Sequence, residues 1–329
     1  MLYSGDTGFY SGASGLLTPL RALGIPARVC PGVSSIQLLS AALGRPWQDW
    51  KLVSAHGCAC DPVAECMMNR SAFFLTGGTE TPASLCQKLT DAGMGEAHGV
   101  VGENLGTEAE AIRYGSAAEL AGQSFAPLSV LLVENFDLPQ LRAPGFPDES
   151  FIRSEVPMTK QEVRAAALAK LAVMPTDTLW DVGAGTGSVS VELALAAPKG
   201  RVYAVECEPD ACELIRKNRA KFQTYNLILI EGRAPDALAD LPAPDAVFIG
   251  GTKGGMEAVL DEVLGKNPNA RICISAIALE TLGAAIAALT ARGLTAEVTQ
   301  IAVSRTKPAG RLHLLMANNP IFLITGTRK

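Results

Sequence analysis

The sequence predicts a two-domain α/β protein, and three observations carry that prediction. The chain has 329 residues, enough for about two domains of roughly 150 residues each. A stretch holding Pro139, Pro144, Gly145 and Pro147 separates two halves of different character and reads as an extended linker. In the second half, a short apolar strand ends in an acid and opens into three glycines spaced two apart, Asp181-Val182-Gly183-Ala184-Gly185-Thr186-Gly187. That spacing lets the backbone turn sharply, lets a ligand approach without side chains in the way, and starts a helix beneath the loop. Position 188 is serine, where the nicotinamide fingerprint needs glycine.

Taken in order, the first half offers three loops that lead into elements. Ser4 to Gly12 is polar and glycine-rich and precedes a helix over Ala13 to Leu23. Pro31-Gly32-Val33-Ser34-Ser35 caps a helix running through Leu43, and a strand over Gly99 to Val101 ends in Gly102-Glu103-Asn104-Leu105-Gly106. Taken singly, these are turns and caps. After the linker, a helix begins near Thr159, with Thr159 as cap and Glu162 three residues on, the capping-box pattern. Its apolar positions Val163, Ala166, Ala167 and Leu171 recur at helical spacing.

The elements after the glycine loop are those of an open, doubly wound sheet. A strand over Arg201 to Val205 ends in Glu206, about 20 residues beyond the loop, where a second strand presents an acid to ribose hydroxyls. A helix over Asp210 to Phe222 follows, then strands over Leu227 to Ile230 and Asp245 to Ile249 that end in Glu231-Gly232 and Gly250-Gly251. Three strand ends thus converge on one crevice, which points to a nucleoside-containing cofactor.

Composition narrows the function classes. The hydrophobic fraction of 48% suffices for two cores, and aromatics are sparse at 5%. No apolar run approaches the ~20 residues of a membrane span. The start, MLYSGDTGFY, has neither a basic n-region nor an apolar h-region, so the expected compartment is the cytoplasm. The eight cysteines are scattered; Cys58 and Cys60 are too close for a metal knuckle, and Cys66 and Cys86 lack ligand spacing. Reduced thiols and no metal site are expected. Residues 1–150 hold 8 basic and 15 acidic residues, residues 151–329 hold 20 and 18, so nucleic acid is a poor partner. From Ser304 onward, Arg305, Lys307, Arg311, Arg328 and Lys329 stand without any acid. They form either a solvated basic tail or a set of cations that holds a polyanionic small molecule. Acid/base candidates are thin. His56 and His98 lie in the first half, His313 in the apolar run RLHLLMA reads as a core histidine, and Glu280 reads as a first-turn helix acid or a crevice residue.

The Asp-x-Gly-x-Gly-x-Gly form resembles the first motif of class I methyltransferases that use S-adenosylmethionine. The whole chain resembles the fused cobalamin-pathway enzymes that methylate precorrin-6B, or its cobalt form, at C5 and C15 and decarboxylate an acetate side chain. The first half is similar to the class III tetrapyrrole methylase family through SGDTGFYSG, PGVSS, GRPWQDW and VGENLG. The second half is similar to the C15-methylating, decarboxylating partner through PMTKQEVRA, LWDVGAGTGSVS, EGRAP, FIGG and NPIFLITG. The resemblance implies a Rossmann-like class I sheet over residues 158–329, a linker over 139–157, and a class III α/β domain over 1–138. That family opens with a strand and a Gly-x-Gly-Pro-Gly loop before the SGD segment, whereas this chain begins almost at SGD, so a partial first domain is expected.

The resemblance also implies roles. Gly183, Gly185, Thr186 and Gly187 would shape the loop around S-adenosylmethionine, Asp181 would accept loop amides, Glu206 would take the ribose hydroxyls, and Thr159 is a possible ligand contact beside its capping role. Arg233 stands where many class I enzymes put an acid that meets the adenine amino group, so the backbone near Gly232, Ala234 and Gly250 would recognise adenine. Arg305, Lys307 and Arg311, with Ser4 and Asp6 in the first domain, are the candidates for holding the tetrapyrrole. A homo-oligomer, a tetramer by resemblance, is expected, with no membrane or nucleic-acid partner. Two alternatives stay open: a methyltransferase for another anionic small molecule, and a non-catalytic tetrapyrrole carrier.

Overall fold

A computed structural model describes residues 5–140 and 142–328 and divides the chain into two compact units, at Leu138/Pro139. The first unit carries helices α1 (Ala13–Ala22), α2 (Ser35–Leu43), α3 (Pro62–Met68), α4 (Pro82–Asp91) and α5 (Ala117–Ala121). Its strands are β1 (Lys51–Ser54), β2 (Ser71–Leu75), β3 (His98–Glu103), β4 (Ala111–Ser116) and β5 (Ser129–Glu134), in sheet order β1-β2-β5-β3-β4. Only β1 and β2 pair in parallel; the other neighbours are antiparallel. Ser34 caps α2 through the reciprocal pattern with Gln37, and β5 is buried along its whole length.

The second unit begins with residues whose prolines and glycine predict an extended linker, yet Phe146, Asp148 and Phe151 are buried there. Helix α6 (Gln161–Leu171) is capped by Asp148, whose carboxylate accepts the Gln161 amide at 2.9 Å. The expected capping box at Thr159 and Glu162 is absent: Lys160 is the N-cap residue, and Glu162 is drawn into an ion pair with Arg305. A charged partner outweighs a return bond to one backbone amide.

The sheet follows: β6 (Thr178–Val182), α7 (Ser188–Ala196), β7 (Arg201–Glu206), α8 (Pro209–Phe222), β8 (Leu227–Glu231), β9 (Ala246–Ile249), α9 (Met256–Lys266), β10 (Arg271–Ala276), α10 (Leu279–Ala291), β11 (Leu294–Ile301), β12 (Ser304–Ala309), β13 (Leu312–Ala317) and β14 (Ile321–Arg328). Seven strands lie in the order β11-β14-β10-β9-β6-β7-β8. The five from β10 to β8 are parallel, and β14 and β11 close one side antiparallel. Chain order reverses between β6 and β9, the switch point of a doubly wound, Rossmann-like sheet.

Both faces are covered, which the two-residue alternation records. Leu179, Val202, Ala204, Ala246, Phe248 and Cys273 pack toward α6 and α7, while Trp180, Val182, Val247, Ile249, Ile272 and Ile274 pack toward α9 and α10. Helix α7 has serines and valines that are mediocre helix formers, a penalty below about 0.7 kcal/mol each. Its Val189, Val191, Leu193 and Leu195 are buried, and each such side chain contributes about 1.5–3 kcal/mol. Burial therefore decides the helix.

The β12–β13 hairpin stands outside this sheet, with Leu312, Leu314, Leu315 and Met316 all exposed. His313 is exposed with them, so it is not a core histidine. An apolar run has the same local pattern whether or not its own domain covers it.

Candidate functional site

The glycine loop links β6 to α7, and all three of its glycines have positive φ. All three are also closely approached: a Cβ on Gly187 would meet the Ile215 side chain of α8 at 3.0 Å. A Cβ on Gly183 would meet the Gly251 carbonyl oxygen at 2.4 Å, and one on Gly185 would meet the Pro157 carbonyl oxygen at 3.2 Å. The loop is therefore pressed between the turn after β9 and a strap, residues 156–159, that precedes α6.

Glu206, at the end of β7, holds the loop from the side. Its Oε2 accepts the Gly185 amide at 2.9 Å, and its Oε1 accepts the amides of Cys207 at 2.8 Å and Glu208 at 3.0 Å. Sequence reasoning assigned the gathering of loop amides to Asp181. Instead, Asp181 is fully buried and its Oδ2 accepts the Ser190 hydroxyl of α7. Its Oδ1 has no hydrogen-bond partner. Burial, reinforced by the nearby Glu206 charge, pushes the Asp181 carboxyl up to about 7 against the opposing Ser190 hydrogen bond.

A cavity of about 370 Å³ opens at the switch point. Thr159, Gly183, Gly185, Glu206, Gly232, Ala234 and Gly250 all line it. Asp181, Thr186 and Gly187 do not; Thr186 is buried behind the loop, with its hydroxyl unpartnered, and Gly187 is the N-cap of α7. Arg233 faces the cavity and donates to the Lys253 carbonyl at 3.3 Å. Sequence reasoning missed the mouth. There Lys253 ion-pairs with Glu208 and lies 3.7 Å from the Cys207 thiol, joining the lips formed after β7 and β9. Nothing in the local pattern announces a pairing of residues 45 apart.

The cations chosen for substrate lie elsewhere. Arg305 is committed to Glu162, at 2.7 and 3.1 Å, and to Asp148 at 3.2 Å. Lys307 and Arg311 belong to the exposed hairpin and its turn and do not line the crevice. Glu280 is an exposed first-turn residue of α10. Behind Arg305, Arg164 is wholly buried and pairs with Asp148 at 2.9 Å and Glu192 at 2.8 Å. Arg164 also donates to the carbonyls of Phe146 and Thr159, which fixes the strap.

The first unit has its own cavity of about 520 Å³, lined by Gly5, Ser34, His56, Thr76, Asn104 and neighbours. His56 Nδ1 lies 3.2 Å from the Thr76 carbonyl. Asp6 is turned into its own loop, accepting the Gly8 amide at 2.7 Å, while Ser4 lies outside the described residues. His98 lies 3.7 Å from Glu134, which Arg45 also engages and holds below the usual carboxylate range.

Fold and crevice define the second unit as a Rossmann-like α/β domain with its ligand cavity at the switch point. A family model described as "Precorrin methyltransferase domain" matches residues 150–328, and one described as "Tetrapyrrole (Corrin/Porphyrin) Methylases" matches residues 1–121. The chain belongs to the precorrin methyltransferase family. It is similar to a probable cobalt-precorrin-6B C(15)-methyltransferase (decarboxylating) of Pyrobaculum calidifontis, 46% identical over 187 residues, covering 55% of this chain and 95% of the relative. It is also similar to the precorrin-6Y C(5,15)-methyltransferase [decarboxylating] of a Sinorhizobium species, 34% identical over 268 residues, 79% of this chain and 64% of the relative. Among solved structures, a precorrin-6y C5,15-methyltransferase from Geobacter metallireducens is 38% identical with a TM-score of 0.56, covering 58% of this chain and all of that one.

Proposed function

We propose that the second unit binds S-adenosylmethionine in the 370 Å³ crevice and methylates precorrin-6B or cobalt-precorrin-6B at C15, with loss of carbon dioxide from an acetate side chain, in cobalamin biosynthesis in the cytoplasm. The observation that carries this reading is the convergence of seven candidate cofactor residues on one cavity in a chain of this family. The residues present fit the cofactor. Gly183 and Gly185 line the cavity without a side chain, and their lack of a Cβ lets the loop pass the Gly251 and Pro157 carbonyls. Glu206 uses three of its roughly four acceptor sites on amides, which leaves capacity for a ribose hydroxyl. When bound, the cofactor supplies an activated methyl on a sulfonium. The chain's own work is positioning and exclusion of water, through the strap at residues 156–159 and the Glu208–Lys253 pair at the mouth.

The first unit adds C5 methylation in this reading if its 520 Å³ cavity is competent. The exposed apolar hairpin favours a homo-oligomer, because four large apolar side chains gain by being covered. Calorimetric titration with S-adenosylmethionine tests the cofactor assignment. Glu206→Ala should weaken binding by about 1–3 kcal/mol, roughly tenfold to a hundredfold. A carrier would bind tetrapyrrole and be indifferent to that substitution.

A further inference from the structure

A second cavity of the second unit, about 260 Å³, shares Thr159 with the cofactor crevice. Its walls are mostly apolar, from Met158, Val163, Ile301 and Ile321. Its polar groups are few: Lys160, Ser275 at the end of β10, and the adjacent Asn318 and Asn319 before β14. The volume falls below the ~300–1,000 Å³ of pockets that enclose a whole drug-sized ligand, so it suits one arm of a larger molecule. Lys160 pairs with no carboxylate among the described residues, unlike Arg305, Lys253 and Arg164. It also sits at the start of α6, where the helix dipole disfavours a cation and favours an anion.

We infer that this cavity is a subsite for a carboxylate-bearing arm of the tetrapyrrole, with the Lys160 ammonium as its charge partner and the Asn318 and Asn319 amides as further donors. The inference rests on the methyltransferase reading above and deepens it. Cofactor and substrate would meet at Thr159, which both cavities share. The cation serving the substrate then lies at the start of α6 and not in the basic run after Ser304.

The test measures precorrin-6B binding by absorbance titration, and KM, kcat and S-adenosylmethionine affinity, for the full chain and for Lys160→Gln and Lys160→Arg. Loss of one charged hydrogen bond should raise the tetrapyrrole KM and Kd of Lys160→Gln roughly tenfold to a hundredfold. Its cofactor affinity should stay within about twofold, and Lys160→Arg should recover most of the loss. Unchanged tetrapyrrole affinity in Lys160→Gln overturns the subsite. So does a parallel loss of cofactor affinity, which would mean a general defect of the strap. If the wild-type chain binds precorrin-6B through Lys160 but transfers no methyl, the subsite stands and the catalytic reading falls.

Discussion

Glu206 and Asp181 are 25 residues apart in sequence and play different parts. Glu206 accepts three backbone amides, from Gly185, Cys207 and Glu208, and so holds the loop to the end of β7. Asp181 is fully buried, accepts the Ser190 hydroxyl, and has its carboxyl pushed up to about 7 by that burial. The unfolded chain releases the Asp181 proton near its ordinary value, about 3.9. Between roughly pH 4 and 7 the folded state holds a proton that the unfolded state has shed, so this group lowers stability as pH rises across that window. The cost is complete above 7. Asp181→Asn should therefore gain stability over wild type at pH 8, by on the order of a few kcal/mol, and gain little at pH 4. Thermal unfolding of both proteins at the two pH values checks this, and equal melting points at pH 8 would refute it. The glycine loop and Glu206 were legible because each is a local motif at a fixed spacing. The division of labour between the two acids was not, because it depends on which backbone amides the folded loop aims at which carboxylate.

At the scale of elements, residues 145–152 show how a stretch with no secondary-structure signal becomes structural. Asp148 caps α6, pairs with Arg164 and receives Arg305, so one carboxylate joins the segment, the helix and the hairpin strand β12. Its partners lie 13, 16 and 157 residues away, beyond the reach of a local pattern. Prolines and a glycine correctly marked the stretch as irregular, but only the position of Arg164 makes it a buried clasp. Removing one partner from a buried charge network costs about 3–5 kcal/mol, whereas a half-exposed pair is worth ~0–1 kcal/mol. Asp148→Ala should thus lower unfolding free energy severalfold more than Arg305→Gln, whose side chain is 36% exposed. Urea titration of both variants orders the two effects; similar losses would mean that the clasp is held elsewhere. The strap that Arg164 fixes also covers the glycine loop, so Asp148→Ala should weaken cofactor binding as well.

For the molecule as a whole, each unit has a cavity of its own, and the family descriptions divide along the same chain. The strands around the crevice, β6, β7, β8 and β9, are readable because each ends in, or runs directly into, a glycine or an acid. The core reading of His313 fails because the apolar run RLHLLMA has the same local pattern whether or not its own domain covers it, and here it is exposed. If a second copy covers it, Leu312→Ser with Leu315→Ser should shift the chain to a smaller species in light scattering, with the fold retained by circular dichroism. Unchanged mass would assign the hairpin another role. The central claim, methyl transfer coupled to decarboxylation in the second unit, is tested most directly by the mass of the product formed from precorrin-6B and S-adenosylmethionine. The expected product has gained one methyl and lost carbon dioxide, or gained two methyls with that loss if the first unit also works. A substrate recovered at its original mass, with the cofactor unbound, would contradict the claim and leave the carrier reading.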